Sequence, residues 1–313
     1  MLNAKAVIIF QGPITNSLQD GLRASIVAIK KENPEIAIWI STWESCDVPY
    51  LGHDKTIKHN ELDNFTPLGY KANNLHRQIL TTHESMRILE NAIVAKLRTD
   101  IIISNPKLLI KELFRVRDDG KIFGKKITTI SYSSVDPLRN DMPLLYHPCD
   151  WVYIGRSDDL NNLFDCPIPD QNYFTEGLSR VGKNPRLGNY AEGMRSEEYI
   201  CSYSLNKSHW RGRGANINPS LFSKIRSNRK IASDFYVVDI GDIGLTSVKH
   251  KTNLFNPNRF TKFAINIWSR GYDEKYLFLR CRTVLKIYYS QKYFFQMLRW
   301  LKKLLKALLN QRF

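Results

Sequence analysis

Ala6–Phe10 (AVIIF) is an unbroken apolar run that stops at Gln11-Gly12-Pro13, the pattern of a buried strand followed by a turn. Asn16-Ser17 is a fair helix cap, and Leu18, Leu22, Ile26 and Ile29 follow at helical spacing until Pro34. Ile36–Ile40 (IAIWI) is a second strand, closing at Ser41-Thr42-Trp43. Strand, loop, helix, strand is a βαβ opening, with an obligatory crossover when the strands are parallel. A polar stretch, Asp47–Tyr70, holds a short strand around Thr56–Lys58. Asn73–Leu89 reads as a helix, since Leu75, Ile79, Met86 and Leu89 share one face. Ile93–Ile103 reads as one strand, interrupted on one side by Lys96, Arg98 and Asp100.

The βα alternation continues with helices at Leu108–Arg115 and Asp158–Phe164 and strands at Lys125–Tyr132 and Asp150–Gly155. Pro167–Ser196, rich in Gly, Pro and Asn, reads as a long surface region, and Glu197–Leu205 as a helix. The fold class is therefore α/β, a mostly parallel sheet flanked by helices. We divide the chain into a core over 1–205, an irregular C-terminal extension of that core over 206–281, and a helical tail over 282–313. In the tail Tyr293, Phe294, Met297, Leu298, Leu301, Leu304, Leu305 and Leu308 form an apolar stripe opposite Lys292, Arg299, Lys302, Lys303 and Lys306.

Charge sharpens this picture. The 313 residues carry a formal net charge of +16, which calls for an anionic partner. Nine Lys or Arg and no Asp or Glu lie between Arg280 and Phe313, more than half of that excess. A basic amphipathic helix of this kind suits an anionic membrane surface; the alternative is that the same stripe docks on the core or on a second copy of the chain. Nucleic acid is not expected, because the charge sits on that helix and not beside a base-stacking platform. The odd count of five cysteines, without a C-x-x-C pair, argues against a disulfide framework. With no secretory signal and no bilayer-length apolar run, the chain reads as cytoplasmic.

Four clusters carry candidate chemistry. Arg98-Thr99-Asp100 ends a buried strand, where open α/β sheets bind ligands. Asp100 can ligate a divalent cation, and Arg98 can neutralise a diphosphate directly; a structural Arg98–Asp100 ion pair is the alternative. Gln11, Gly12 and Pro13 allow a ligand close to the backbone before a helix N-terminus, or form a plain turn and cap. Asn74 and Arg77, at the start of a helix, offer donors to a nucleotide or sugar; the alternative is capping by Asn73 plus a solvated face. Asp150, Glu197 and Glu198 are candidates for the base that removes a proton from an acceptor hydroxyl, although acidic pairs on helices are usually just solvated.

Taken in order, several of these pieces resemble the WavE lipopolysaccharide-synthesis family. They are Gln11-Gly12-Pro13, Ile40-Ser41-Thr42-Trp43, Asn73-Asn74-Leu75-His76-Arg77-Gln78-Ile79, Lys96-Leu97-Arg98-Thr99-Asp100, Asp150-Trp151 with Gly155-Arg156, and Glu197-Glu198-Tyr199. The resemblance covers roughly the first two thirds of the chain. It implies a glycosyltransferase with a GT-A-like, Rossmann-like core that uses a nucleotide-sugar donor. It implies a lipopolysaccharide core, O-antigen or capsule acceptor that is lipid-linked, so that the tail would rest on the inner-membrane surface. Arg98-Thr99-Asp100 stands where GT-A enzymes carry Asp-x-Asp, with Mn or Mg as the expected cation. A non-catalytic, membrane-associated assembly protein of surface-polysaccharide biosynthesis is the competing reading.

Overall fold

The computed structural model describes residues 5–60, 75–115, 117–130, 145–168, 196–205 and 220–248. Its first strands are β1 (Ala6–Gln11), β2 (Ala37–Trp43) and β3 (Lys55–His59), followed by β4 (Ile93–Arg98) and β5 (Ile101–Ile103). Then come β6 (Ile127–Ile130), β7 (Val152–Arg156), β8 (Phe235–Val238) and β9 (Leu245–Ser247). The helices are α1 (Asn16–Glu32), α2 (Leu75–Arg87), α3 (Pro106–Leu113), α4 (Ser157–Phe164), α5 (Ser196–Leu205) and α6 (Leu221–Asp234).

Seven strands form one sheet in the order β3-β2-β1-β4-β7-β6-β8. All neighbouring pairs are parallel except those of β7, which runs antiparallel to both β4 and β6. Mixed α/β architecture with a mostly parallel sheet is what the strand and helix pattern predicts. The apolar runs are continuous because both faces of the sheet are covered. On β1, Ile8 and Phe10 join Leu22, Ile26 and Ile29 of α1 and Leu109 of α3. Val7 and Ile9 face the other way, into a cluster with Leu75 and Ile79 of α2, Phe164 of α4 and Tyr199 of α5.

Three expectations need correction. Ile93–Ile103 is not one strand: β4 lies in the large sheet, whereas β5 pairs antiparallel with β9 in a separate two-stranded sheet. Thr99-Asp100 is the break between them. Residues 221–238, expected within an irregular extension, supply α6 and the edge strand β8 of the main sheet. The first helix begins at Asn16, with Thr15 and not Asn16-Ser17 in the cap position, and without a side-chain cap bond. Asn74, residues 169–195 and the tail 282–313 lie outside the described residues.

Candidate active site

Because β1 and β4 are parallel and β7 is antiparallel, the ends of β1 and β4 and the start of β7 meet at one edge of the sheet. Gln11 is in register with Arg98, and the Arg98 N–H donates to the Trp151 carbonyl at 3.1 Å. Thr99 stitches this edge together. Its N–H donates to the Gln11 carbonyl at 3.1 Å, and its hydroxyl donates to the Pro13 carbonyl at 2.9 Å. Gly12, at φ 129°, donates its N–H to the Ser41 carbonyl at 3.0 Å. A Cβ at Gly12 would lie 3.0 Å from the Thr99 hydroxyl. Gly12→Ala is therefore expected to destabilise the protein by about 1–3 kcal/mol, because side chains rarely tolerate that backbone region. Urea unfolding checks this, and an unchanged midpoint would show that the turn relaxes freely.

Arg98 and Asp100 form a two-pronged pair, Nε to Oδ1 at 3.0 Å and a terminal guanidinium nitrogen to Oδ2 at 2.8 Å. Asp100 is buried, while the Arg98 side chain is 30% exposed. The guanidinium also lies 5.2 Å from the ring centre of Trp151. Burial opposes the Arg98 charge, but the Asp150 and Asp100 carboxylates outweigh it and hold the guanidinium protonated.

Behind this pair lies a buried set of charges on the face covered by α2 and α5. Lys96 is 1% exposed, donates to the Asp150 backbone carbonyl and lies 5.6 Å from the ring centre of Tyr153. Burial brings its ammonium down to about 8, against the pull of Asp150. Burial, with the Glu197 carboxylate adding to it, pushes Asp150 up to about 7, against Lys96 and Arg98. Gln78 of α2 donates to Asp150 Oδ2 at 2.5 Å, and Glu197 Oε2 lies 3.6 Å from His147 Nε2.

The candidate residues thus separate. Gly12, Arg98, Asp100 and Asp150 are brought to one edge, and Glu197 reaches it from α5. Glu198, its neighbour, is buried and accepts from the Leu145 N–H at 3.1 Å, so it ties down the backbone before β7. The Gln11 amide is committed to α2, donating to the Gln78 carbonyl at 3.3 Å and to the Thr81 hydroxyl. Pro13 is exposed. Arg77 packs 5.4 Å over the Trp43 ring. The sequence reading gave no role to Lys96 or His147; the one signal was a lysine in the middle of an apolar strand.

Next to this edge, Ser41 is 2.9 Å from His59 Nε2, and His59 Nδ1 is 2.6 Å from Glu84. Ser41 has no exposed surface and also accepts from Ser85 at 3.0 Å. With Ser41 and His59 both buried and only Glu84 reaching solvent, the serine has no route to a substrate, and this Ser–His–Glu chain pins α2 to β2 and β3.

Among solved structures, the chain is similar to the glycosyltransferase GlyE of Streptococcus pneumoniae TIGR4, at 10% identity and a TM-score of 0.36. That match covers 93% of this chain and 64% of GlyE, so the chain spans less than two thirds of that protein's length. It is similar to an active-site mutant of LgtC at 12% identity, covering 83% of this chain and 95% of that one, with a TM-score of 0.37. LgtC in complex with donor and acceptor sugar analogs matches at 14% identity, over 64% and 70% of the two chains, with a TM-score of 0.34. No curated protein matches. A family model described as WavE lipopolysaccharide synthesis matches residues 6–305, nearly the whole sequence. The chain belongs to the WavE lipopolysaccharide synthesis family.

Proposed function

We propose that this chain is a glycosyltransferase that moves a sugar from a nucleotide-sugar donor to a lipopolysaccharide core, O-antigen or capsule acceptor. One observation carries the reading: a partly exposed, charge-stabilised Arg98 stands at the carboxyl ends of β1 and β4, beside the Asp150–Glu197 acid pair. A guanidinium there suits a diphosphate, and a carboxylate pair suits a hydroxyl that must lose a proton. In an inverting transfer the acceptor oxygen bonds to the anomeric carbon as the bond from that carbon to the diphosphate breaks. The acceptor proton passes to the acid pair, and Arg98 meets the charge gathering on the leaving diphosphate. Glu197 is the member that meets the acceptor, since its side chain is 15% exposed whereas Asp150 is 2% exposed.

Membership of a lipopolysaccharide-synthesis family supports a lipid-linked glycan acceptor. The basic tail over 282–313, with its apolar stripe, would hold the protein at the inner-membrane surface where such an acceptor sits. The test is release or transfer of sugar from a panel of nucleotide sugars, with anionic liposomes present. Turnover of one donor is expected. Inactivity with every donor, together with no nucleotide binding, would instead favour a non-catalytic assembly protein.

A further inference from the structure

We propose that Arg98 itself is the cation that meets the donor diphosphate, and that donor binding needs no divalent metal. The proposal rests on the nucleotide-sugar reading above and deepens it.

Asp100 is the residue that would anchor a metal, and its donor set does not fit one. Both of its carboxylate oxygens already accept from Arg98, at 3.0 and 2.8 Å. A divalent cation on either oxygen would have to share that oxygen with this fork and sit against a guanidinium of like charge, without a second carboxylate among the described residues to offset it. Asp150 offers little help, since it is buried, bonded to Gln78 and flanked by Lys96 and Arg98. Among the described residues, no three His, Cys, Asp or Glu side chains come together as a metal site.

The same geometry fits a diphosphate. Asp100 takes two of the guanidinium's five N–H donors, which leaves donors for phosphate oxygens. The carboxylate fixes the orientation of the fork, and the Trp151 ring supports its face. Arg98 is 30% exposed where Asp100 is 6% exposed, so an anion arriving at this edge meets the arginine. Asp100 is then a positioning residue for Arg98 and not a metal ligand.

The experiment is titration calorimetry of the full chain with UDP, GDP and dTDP, with pyrophosphate as a base-free probe, in EDTA and again in excess Mn²⁺. At least one nucleotide is expected to bind, with affinities agreeing within about twofold between the two conditions. Arg98→Lys is expected to weaken that binding about tenfold or more while the far-UV spectrum stays unchanged, because an ammonium cannot reproduce the fork. Binding that appears only with Mn²⁺ overturns the proposal and leaves the glycosyltransferase reading standing. Metal-independent binding that Arg98→Lys leaves untouched overturns Arg98 as the cation. No binding of any nucleotide in either condition overturns both. The comparison in EDTA and Mn²⁺ uses the unaltered protein, so it decides the metal requirement even if the variant does not fold, and Arg98→Gln then tests the cation in its place.

Discussion

Glu197→Gln is expected to lower the rate of sugar transfer by about 10²–10⁴, the usual share of a positioned general base, while nucleotide affinity stays within about twofold. The side chain keeps its size and loses only its ability to take a proton. Glu198→Gln is the internal comparison. Its carboxylate accepts the Leu145 N–H, an acceptor role that the amide oxygen of glutamine retains, so transfer should stay near the unaltered rate. Steady-state rates of the two variants at saturating donor decide the matter. Equal losses in both would mean that α5 acts through its placement and that neither carboxylate takes the proton.

The largest effect on stability is expected at Lys96. Lys96→Met keeps an unbranched chain in the same space but removes the cation from a buried set of charges. Breaking such a set costs about 3–5 kcal/mol. The Asp150 carbonyl loses its donor, and the Asp150 carboxyl loses a neighbour that favours its charged form. The unaltered protein should also show an unusual pH profile. Asp150 is raised from 3.8 to about 7, so between those values the folded state holds more protons than the unfolded one, and stability falls as pH rises. Lys96 is lowered from 10.5 to about 8, so between those values the unfolded state holds more protons, and stability rises with pH. The two groups together place a dip between about 7 and 8. Asp150→Asn should remove the acidic limb and Lys96→Met the alkaline one. Urea midpoints across this range measure both; a profile that both variants leave unchanged would show that the pair does not titrate as a buried unit.

Much of the scaffold was legible in the sequence, for identifiable reasons. AVIIF and IAIWI are apolar on both faces, and that pattern belongs to strands covered by helices on each side. The direction of β7 was not legible, because a two-residue period carries no sign of which way a strand runs. Ile101–Ile103 continues the apolar run of β4 across one buried threonine and one buried aspartate, and nothing local says that it turns into a second sheet. Its partner, β9, lies far along the chain. At the site, Arg98 and Asp100 stood out because charge at the end of an apolar strand is costly without a use. Glu197 and Glu198 were indistinguishable, since adjacent helical positions point about 100° apart and only the packing of α5 selects the one that faces Asp150.

The break at Thr99-Asp100 also dictates when, during synthesis, the Arg98–Asp100 edge can be completed. β1 to β4 leave the ribosome first and can pair with one another before the later strands exist. Asp100, however, is held from its far side by β9, through the Val248 N–H on its carbonyl at 3.1 Å and the pairing of Ile101 with Ser247. Ser104 is tied to Gly244 across 140 residues. Closing so long a loop comes late in folding. A nascent or truncated chain ending before Leu245 would carry the strand that bears Arg98 without the clasp on the far side of Asp100, so the proposed binding edge is complete only after nearly the whole of the sheet-forming sequence has been made.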